Sequence, residues 1–240
     1  MIARAGTRAR CPPDARSDHD WTVSAPPKPP GTRIRLSGRA INALVVHVPW
    51  LWPVLRAPLR RYFARLAPGW DERVGAGSVD HLAALSVAVT RVDGEPERLL
   101  DVGTGTGEAA LFLAREYPRA SVRGVDLSEE MVSVAQGKVG LDPEGRVAFR
   151  VADAAALPYG EGSFDLVAQV NMPPFFAEVG RVLRPGGHAI VVASSGDLTP
   201  FYTPPAALDR GFARAGIERV DAGAAGRGTF WVGRRRGGGG

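Results

Sequence analysis

The sequence predicts an α/β fold in which a mostly parallel β-sheet carries helices on both faces. One observation is that strand-like and helix-like segments alternate from residue 78 onwards, which is the order that builds parallel sheets. The other is an apolar run at 99–102 that leads into three alternate glycines at 103–107 and then a helix-forming run at 109–114. This order places backbone N–H groups around a nucleotide-like ligand beyond the carboxyl ends of the strands.

The spacing of the glycines restricts the ligand. A dinucleotide-binding loop has a third glycine or alanine three positions after the second, and here that position is Glu108. An acid at this point would repel and crowd a pyrophosphate, so NAD and FAD are disfavoured. A P-loop is excluded because no Gly-Lys-Ser/Thr follows.

Acids also follow the next two predicted strands. The segment 121–126 ends at Asp126, which lies 19 residues beyond the last glycine of the loop. A carboxylate at this distance is placed to accept hydrogen bonds from both hydroxyls of a ribose. Ser128 has the character of a helix N-cap, and the strand predicted at 147–151 is followed by Asp153.

These motifs, taken together, resemble those of the class I S-adenosylmethionine (SAM) methyltransferases, most closely the ubiquinone/menaquinone-biosynthesis type. The resemblance covers about residues 62–233 and includes an Arg-Pro-Gly-Gly turn at 184–187. It implies a Rossmann-like, seven-stranded, mostly parallel sheet with helices on both faces, the class I methyltransferase fold, in which the last two strands are antiparallel. It also implies SAM as the cofactor, S-adenosylhomocysteine as the product and a small-molecule acceptor, with no metal at the site.

The resemblance further implies which residues contact the cofactor. Asp153 would accept a hydrogen bond from the adenine amino group, and apolar side chains after the second strand would pack against the adenine. The expected cofactor-binding residues are Asp101, Gly103, Thr104, Gly105, Gly107, Asp126, Leu127, Met131, Asp153, Ala154 and Asn171.

Charge divides the chain into unlike parts. Residues 1–66 carry 12 basic and 3 acidic side chains, whereas residues 67–233 carry 15 basic and 22 acidic ones. No recognised nucleic-acid motif accompanies the basic arm, so nucleic acid is not an expected partner. The single Cys11 and the lack of an apolar leader segment favour a cytoplasmic location. The predicted organisation is a disordered basic, proline-rich arm at 1–35, a helical cap at 36–77, a SAM-binding domain at 78–233 and a flexible tail at 234–240.

Two interpretations are open for the apolar and arginine-rich segment at 41–66. It is either a cap over the substrate pocket or a pair of interfacial helices, with Trp50 and Trp52 at the headgroup level of a membrane. The segment is too short and too interrupted by proline to span a bilayer. Trp70, just after it, is a candidate for an aromatic contact that closes over the cofactor.

Three classes of function follow. The first is methyl transfer to a small hydrophobic or aromatic acceptor, for which His47 and His81 are the candidate bases. The second is amine or protein N-methylation, because 171–175 compares with an Asn-Pro-Pro-Tyr/Phe motif that Met172 interrupts. Alternatively, Asn171 only ends a strand, and the prolines after it start a helix running to Leu183. The third class is a SAM-binding module without catalysis.

Overall fold

The computed structural model describes residues 31–76, 78–142 and 144–237. Most of the predicted arm and the last three glycines of the predicted tail lie outside the described residues. The N-terminal helices are α1 (Thr32–His47), α2 (Trp52–Leu66) and α3 (Trp70–Val74), with a 3₁₀ turn at Pro49–Leu51 between the first two. The remaining elements are α4 (Val79–Val89), β1 (Arg98–Val102), α5 (Glu108–Glu116), β2 (Ser121–Asp126), α6 (Glu129–Gly137), β3 (Val147–Val151), β4 (Phe164–Val170), α7 (Phe176–Val182), β5 (Leu183–Ala193), a 3₁₀ turn (Gly196–Leu198), α8 (Pro205–Arg214), β6 (Ile217–Ala225) and β7 (Gly228–Arg235).

The sheet has seven strands in the order β3-β2-β1-β4-β5-β7-β6. Strands β1 to β5 are parallel, and β7 is antiparallel to both of its neighbours. The chain therefore winds outwards in two directions from β1, and a crevice opens beyond the carboxyl ends of β1 and β4. This topology confirms the predicted fold, including the antiparallel final pair.

Two apolar layers cover the sheet because side chains on successive strand positions point to opposite faces. Leu99 on β1 packs in the layer that includes α4 and α5, whereas Leu100 packs in the layer that includes α7 and α8. Both leucines are fully buried. The strands at the centre are therefore apolar on both faces, as expected for a parallel sheet.

Phe149 on β3 holds the glycine loop against the second strand. A Cβ at Gly124 would lie 2.3 Å from the Phe149 Cδ1 atom, and one at Gly107 would lie 2.8 Å from its Cζ atom. Both glycines are needed because the ring occupies the space that a side chain would fill. This close approach sets the distance between the loop and β2.

The structure corrects three predicted boundaries. Helix α1 begins at Thr32, so residues 32–35 are helical and do not belong to a disordered arm. Strand β7 continues to Arg235, where it still pairs with β6, so the first two tail residues are part of the sheet. The prolines after Asn171 lie in a loop, and α7 begins only at Phe176 and ends one residue before the predicted end.

Replacing Gly124 by alanine should destabilise the fold by about 1–3 kcal/mol, because the added methyl group overlaps the Phe149 ring. The expected loss is opposite in sign to the usual gain from replacing glycine inside a strand. Urea unfolding of the full chain measures it, and Phe149→Leu should recover part of the loss. Gly137→Ala, where a Cβ would meet nothing within 4 Å, is the matched control. Equal stability of Gly124→Ala and the parent protein would contradict this account.

Candidate cofactor site

A cavity of about 160 Å³ lies where the carboxyl ends of β1, β2 and β4 meet. Parallel strands end at the same edge of a sheet, so this edge collects residues that are distant in sequence. Nine of the eleven expected cofactor-binding residues line the cavity: Asp101, Gly103, Thr104, Gly105, Asp126, Leu127, Met131, Ala154 and Asn171.

The glycine loop forms the floor of the cavity. Gly103, Gly105 and Gly107 all have positive φ angles, of 69°, 53° and 86°, which is why glycine occurs at every second position. The amide of Thr104 donates to the Val125 carbonyl at 2.9 Å and so ties the loop to β2. Gly107 does not line the cavity; it is the N-cap of α5 and packs under Phe149.

Asp126 fixes the loop from the end of β2. Its Oδ2 atom accepts from the Gly105 amide at 2.9 Å, and its Oδ1 atom accepts from the Ser128 amide at 2.8 Å. Burial raises the pKa of this carboxyl, although these backbone N–H groups oppose the rise. Each carboxylate oxygen has two lone pairs, so Asp126 retains acceptor capacity towards the cavity.

Asp101 is fully buried at the end of β1. Its Oδ2 atom accepts from the Thr104 hydroxyl at 2.6 Å, but its Oδ1 atom has no hydrogen-bond partner among the described residues. Burial raises the pKa of Asp101 to about 7; the Thr104 hydroxyl and the Ala110 amide oppose this, and the nearby Asp126 adds to it.

The two buried carboxyls give the cavity a preference for cations. Each would be stabilised in its charged form by a positive group, because an opposite charge offsets the cost of burial. The unpartnered oxygen of Asp101 is a hydrogen-bond acceptor for such a group. A ligand with an ammonium or sulfonium group fits these residues, whereas a pyrophosphate does not. The described residues contain no cluster of three or more His, Cys, Asp and Glu side chains that could hold a metal ion.

The N-terminal helices cover the cavity. Lining residues from α2 are Trp52, Leu59, Arg60 and Phe63, and Trp70 on α3 lies beside them. The Phe63 ring contacts Trp70 edge to face at 5.6 Å, and the Trp70 Nε1 atom lies 3.8 Å from where a Cβ at Gly105 would be. This geometry agrees with the cap interpretation and with the predicted closing contact of Trp70.

Several polar contacts hold the cap on the domain, and two of them lie beside the cavity. Asp71 accepts from the Thr106 hydroxyl at 2.5 Å and pairs with the Lys138 ammonium at 2.5 Å. Burial opposes ionisation of Asp71, but the bonds from Lys138 and Thr106 outweigh it and lower its pKa. The second contact is made by Asp153, whose carboxylate accepts from Trp52 Nε1 at 2.7 Å and from Arg56 at 3.1 Å.

Asp153 therefore anchors the cap and does not itself line the cavity, which is bounded here by Ala152 and Ala154. Its Oδ1 atom accepts from both Trp52 and the Ala155 amide, while its Oδ2 atom accepts only from Arg56. One acceptor position on Oδ2 is thus left. The role of Asp153 towards adenine stays a prediction.

Asn171 follows β4 in a left-handed conformation, with φ of 55°, and is the one non-glycine residue with positive φ in the described chain. Its side chain bridges to the end of β5. The Nδ2 group donates to the Ser194 hydroxyl at 2.9 Å, and the Oδ1 atom accepts from the Ser194 amide at 2.8 Å. Both ends of the amide are used, so Asn171 acts as a strand-end bridge at the cavity wall.

The candidate bases occupy different places. His81 lines the cavity, and its Nε2 atom lies 3.3 Å from a carboxylate oxygen of Glu108. His47 lines a second, neighbouring cavity. His188 is buried within β5, where burial lowers its pKa, and it is remote from both cavities.

Several cavity residues lie outside the predicted set. The spacing of Trp52, Leu59 and Phe63 on one face of a helix was a usable signal for the α2 contribution. No local signal marks Met172, whose Sδ atom would be 2.5 Å from a Cβ at Gly103, or Phe201 beyond β5. The Asp71 bridge was also missed, because its partners are 35 and 67 residues away in sequence.

Comparison with known proteins agrees with this geometry. Residues 99–187 match the family described as "Methyltransferase domain". The ubiquinone/menaquinone biosynthesis C-methyltransferase UbiE of Geobacter sulfurreducens is 34% identical over 148 residues, covering 57% of this chain and 58% of the relative. The enzyme of the same name from Syntrophotalea carbinolica is 33% identical over 174 residues, covering 67% of this chain and 70% of the relative. The chain thus spans about three-fifths of the first relative and somewhat more of the second.

A solved methyltransferase structure has the same fold as this chain. The crystal structure of a SAM-dependent methyltransferase from Aquifex aeolicus superposes with a TM-score of 0.55 at 19% identity, covering 65% of this chain and 91% of that one. At this identity the likeness shows the fold alone. The relative from Syntrophotalea carbinolica, which is 33% identical and of which 70% is covered, shows the family. The chain belongs to the class I SAM-dependent methyltransferases and is of the ubiquinone/menaquinone type.

Proposed function

We propose that the chain transfers the methyl group of SAM to a small, apolar or aromatic acceptor. The observation that carries this proposal is the pair of buried carboxyls, Asp101 and Asp126, beside the glycine loop in a cavity covered by aromatic side chains. SAM carries the methyl group on a sulfonium. When the acceptor attacks the methyl group, the sulfur leaves as the neutral thioether. The Asp101 oxygen without a partner would accept from the ammonium group, and Asp126 from the ribose hydroxyls.

The aromatic cap accounts for the expected acceptor class. Phe63, Trp70, Met172 and Phe175 border the cavity with apolar surface, which would exclude water once the ligands are bound. Exclusion of water strengthens the electrostatic contacts inside the cavity and helps to hold nucleophile, methyl group and sulfur in line. His81, oriented by Glu108, is a cavity residue able to take up a proton from the acceptor.

N-methylation of an amine has less support. That reaction would use the Asn171 side-chain oxygen as an acceptor from the target amine. Both the oxygen and the nitrogen of the Asn171 side chain hold it on Ser194, and the residue after it is Met172, which displaces the proline of the motif.

Binding of the cofactor should move the cap. Ligand sites in proteins have volumes of about 300–1,000 Å³, and the cavity measures only about 160 Å³. The Asp71 and Asp153 contacts can open without disturbing the sheet, because α2 and α3 lie outside it.

Asp126→Ala should weaken SAM binding by about 1.5–3 kcal/mol, because the variant lacks the acceptors for the ribose hydroxyls. Isothermal titration calorimetry on the full chain measures the affinity. Asp93→Ala removes an acid that is 76% exposed and remote from the cavity, and it should bind SAM as the parent does. Unchanged affinity in Asp126→Ala would refute the assignment of this residue.

The pH dependence of SAM binding tests Asp101. Its pKa of about 7 in the free protein should fall when the ammonium group binds, so binding should release a proton near pH 7. Affinity should therefore rise as the pH increases through 7 and then level off. Calorimetry in two buffers of different ionisation enthalpy counts the released protons. The Asp101→Asn variant should release fewer protons on SAM binding than the parent protein. Identical proton release in both proteins would exclude the proposed contact between Asp101 and the ammonium group.

The outer face of α2 supports a contact with an anionic membrane. Val54 on α2 is 69% exposed, Arg61 and Arg65 lie on the same face of the helix, and Trp50, in the 3₁₀ turn just before α2, is 75% exposed. Apolar and basic residues arranged in this way suit the headgroup region of a bilayer. No single helix of the described residues has the length and apolar composition to cross a membrane; α1 and the Pro49–Leu66 segment meet that test only as a pair bent by 113°.

The full chain should therefore co-sediment with vesicles containing phosphatidylglycerol, and less so as salt is raised. Trp50→Ser with Val54→Ser should reduce the sedimented fraction while leaving SAM affinity unchanged. Tyr117→Phe, a buried change on the opposite part of the domain, controls for general loss of stability. If the double variant and the parent sediment equally, the outer face of α2 is not the contact.

A further inference from the structure

A second cavity, of about 420 Å³, lies beside the first. It is enclosed by the end of α1, the start of α7 and one face of α8. Its volume falls within the range of about 300–1,000 Å³ that small-molecule sites occupy. None of the residues expected to bind the cofactor lines it.

The two cavities share a wall made by Trp52 and Phe175, which border both of them. The two rings meet edge to face with their centroids 5.0 Å apart. A shift of either ring would join the cavities, so a single ligand could extend from the cofactor site into the second cavity. Trp52 also belongs to the cap, which must move to admit the cofactor.

The inner walls of the second cavity are apolar. Val45, Val46, Pro174 and Phe176 are among the lining residues, and their side chains suit an alkyl chain or a ring system. Gly211 is part of the same wall: a Cβ there would lie 2.3 Å from the Phe176 ring.

The rim of the cavity is basic. Arg210 and Arg214 are one turn apart on α8, both are exposed, and neither has an ion pair with any described residue. The acid on this wall is Glu178, but its carboxylate already binds the Arg181 guanidinium and the Leu157 amide, and Arg181 lowers its pKa. The two arginines are therefore available to a ligand anion.

From this arrangement we propose that the second cavity binds an amphiphilic acid, with its apolar body between α1 and α7 and its carboxylate or phosphate at Arg210 and Arg214. This proposal rests on the proposed function in one respect: the bound acid is the methyl acceptor, and its other end reaches the cofactor past Trp52 and Phe175. An apolar acceptor without an anionic group would leave both arginines unused. Guanidinium groups are suited to both anions because their donors match two oxygens at once.

The test is calorimetric titration of the full chain with octyl phosphate, octanoate and octanol, each below its micelle concentration, and with inorganic phosphate. Octyl phosphate or octanoate should bind at least about tenfold more tightly than octanol, because only the acids engage the arginines. Inorganic phosphate should bind more weakly than octyl phosphate, since it lacks the apolar body. The two acids together show which anion the rim prefers.

Arg210→Gln with Arg214→Gln should lose the preference for the acids and keep the affinity for octanol. The matched control is Arg115→Gln with Arg119→Gln, which removes the same charge from an exposed region away from both cavities. Ala207→Phe should weaken all the alkyl probes by filling the cavity, and thermal unfolding checks that it folds. Equal binding of octyl phosphate to the parent and the Arg210/Arg214 variant would overturn the proposal.

SAM affinity measured on the same proteins separates this proposal from the proposed function. The Arg210/Arg214 variant should bind SAM like the parent, because neither arginine borders the cofactor cavity. Binding of the probes without binding of SAM would refute the proposed function alone. Binding of SAM with no discrimination among the probes would refute the second site alone.

Discussion

The buried carboxyls at the ends of β1 and β2 hold the glycine loop in place, and the rest of the site depends on this. Asp101 bonds the Thr104 hydroxyl, and Asp126 bonds the Gly105 amide. Together with the Thr104 amide bond to Val125 and the packing of Phe149, these contacts restrict a loop whose three left-handed glycines have the largest conformational freedom of all residues. The same burial that raises the pKa of both groups prepares them for a cationic ligand. On the proposed function, the two side chains that fix the loop would also bind the ligand.

The cap is coupled to this loop through polar contacts as well as aromatic ones. Asp71 joins α3 to Thr106 in the loop, and Asp153 joins α2 to the end of β3. Each bridge connects the cap to a segment that borders the cofactor cavity. Opening of the cap would therefore break contacts beside the cavity. A narrow cavity under a bridged cap suits a reaction in which water must be excluded after the ligands have entered.

Charge is distributed so that the two cavities differ. The first contains buried acids, whereas the rim of the second carries two unpaired arginines on α8. Between them stands an apolar wall of Trp52 and Phe175. This separation gives an elongated ligand one preferred direction, because its anionic end is repelled from one cavity and attracted to the other. Methyl transfer needs such a fixed direction, since the acceptor must approach the sulfonium in line.

Local sequence patterns were enough to predict the sheet, the glycine loop and the position of Asp126, because these depend on buried strands, alternate glycines and an acid at a fixed distance. They also predicted the cap as a helical segment, since apolar and aromatic residues recur there with the period of a helix. The contacts that the cap makes could not be predicted from these patterns and are visible only in the folded chain. The Asp153 carboxylate accepts hydrogen bonds from Trp52 and Arg56, and the Asn171 amide both donates to and accepts from Ser194. The second cavity likewise exists only where α1, α7 and α8 meet, and segments so distant in sequence leave no shared local pattern. Contacts between distant residues are set by the packing of whole elements, which no short stretch of sequence encodes.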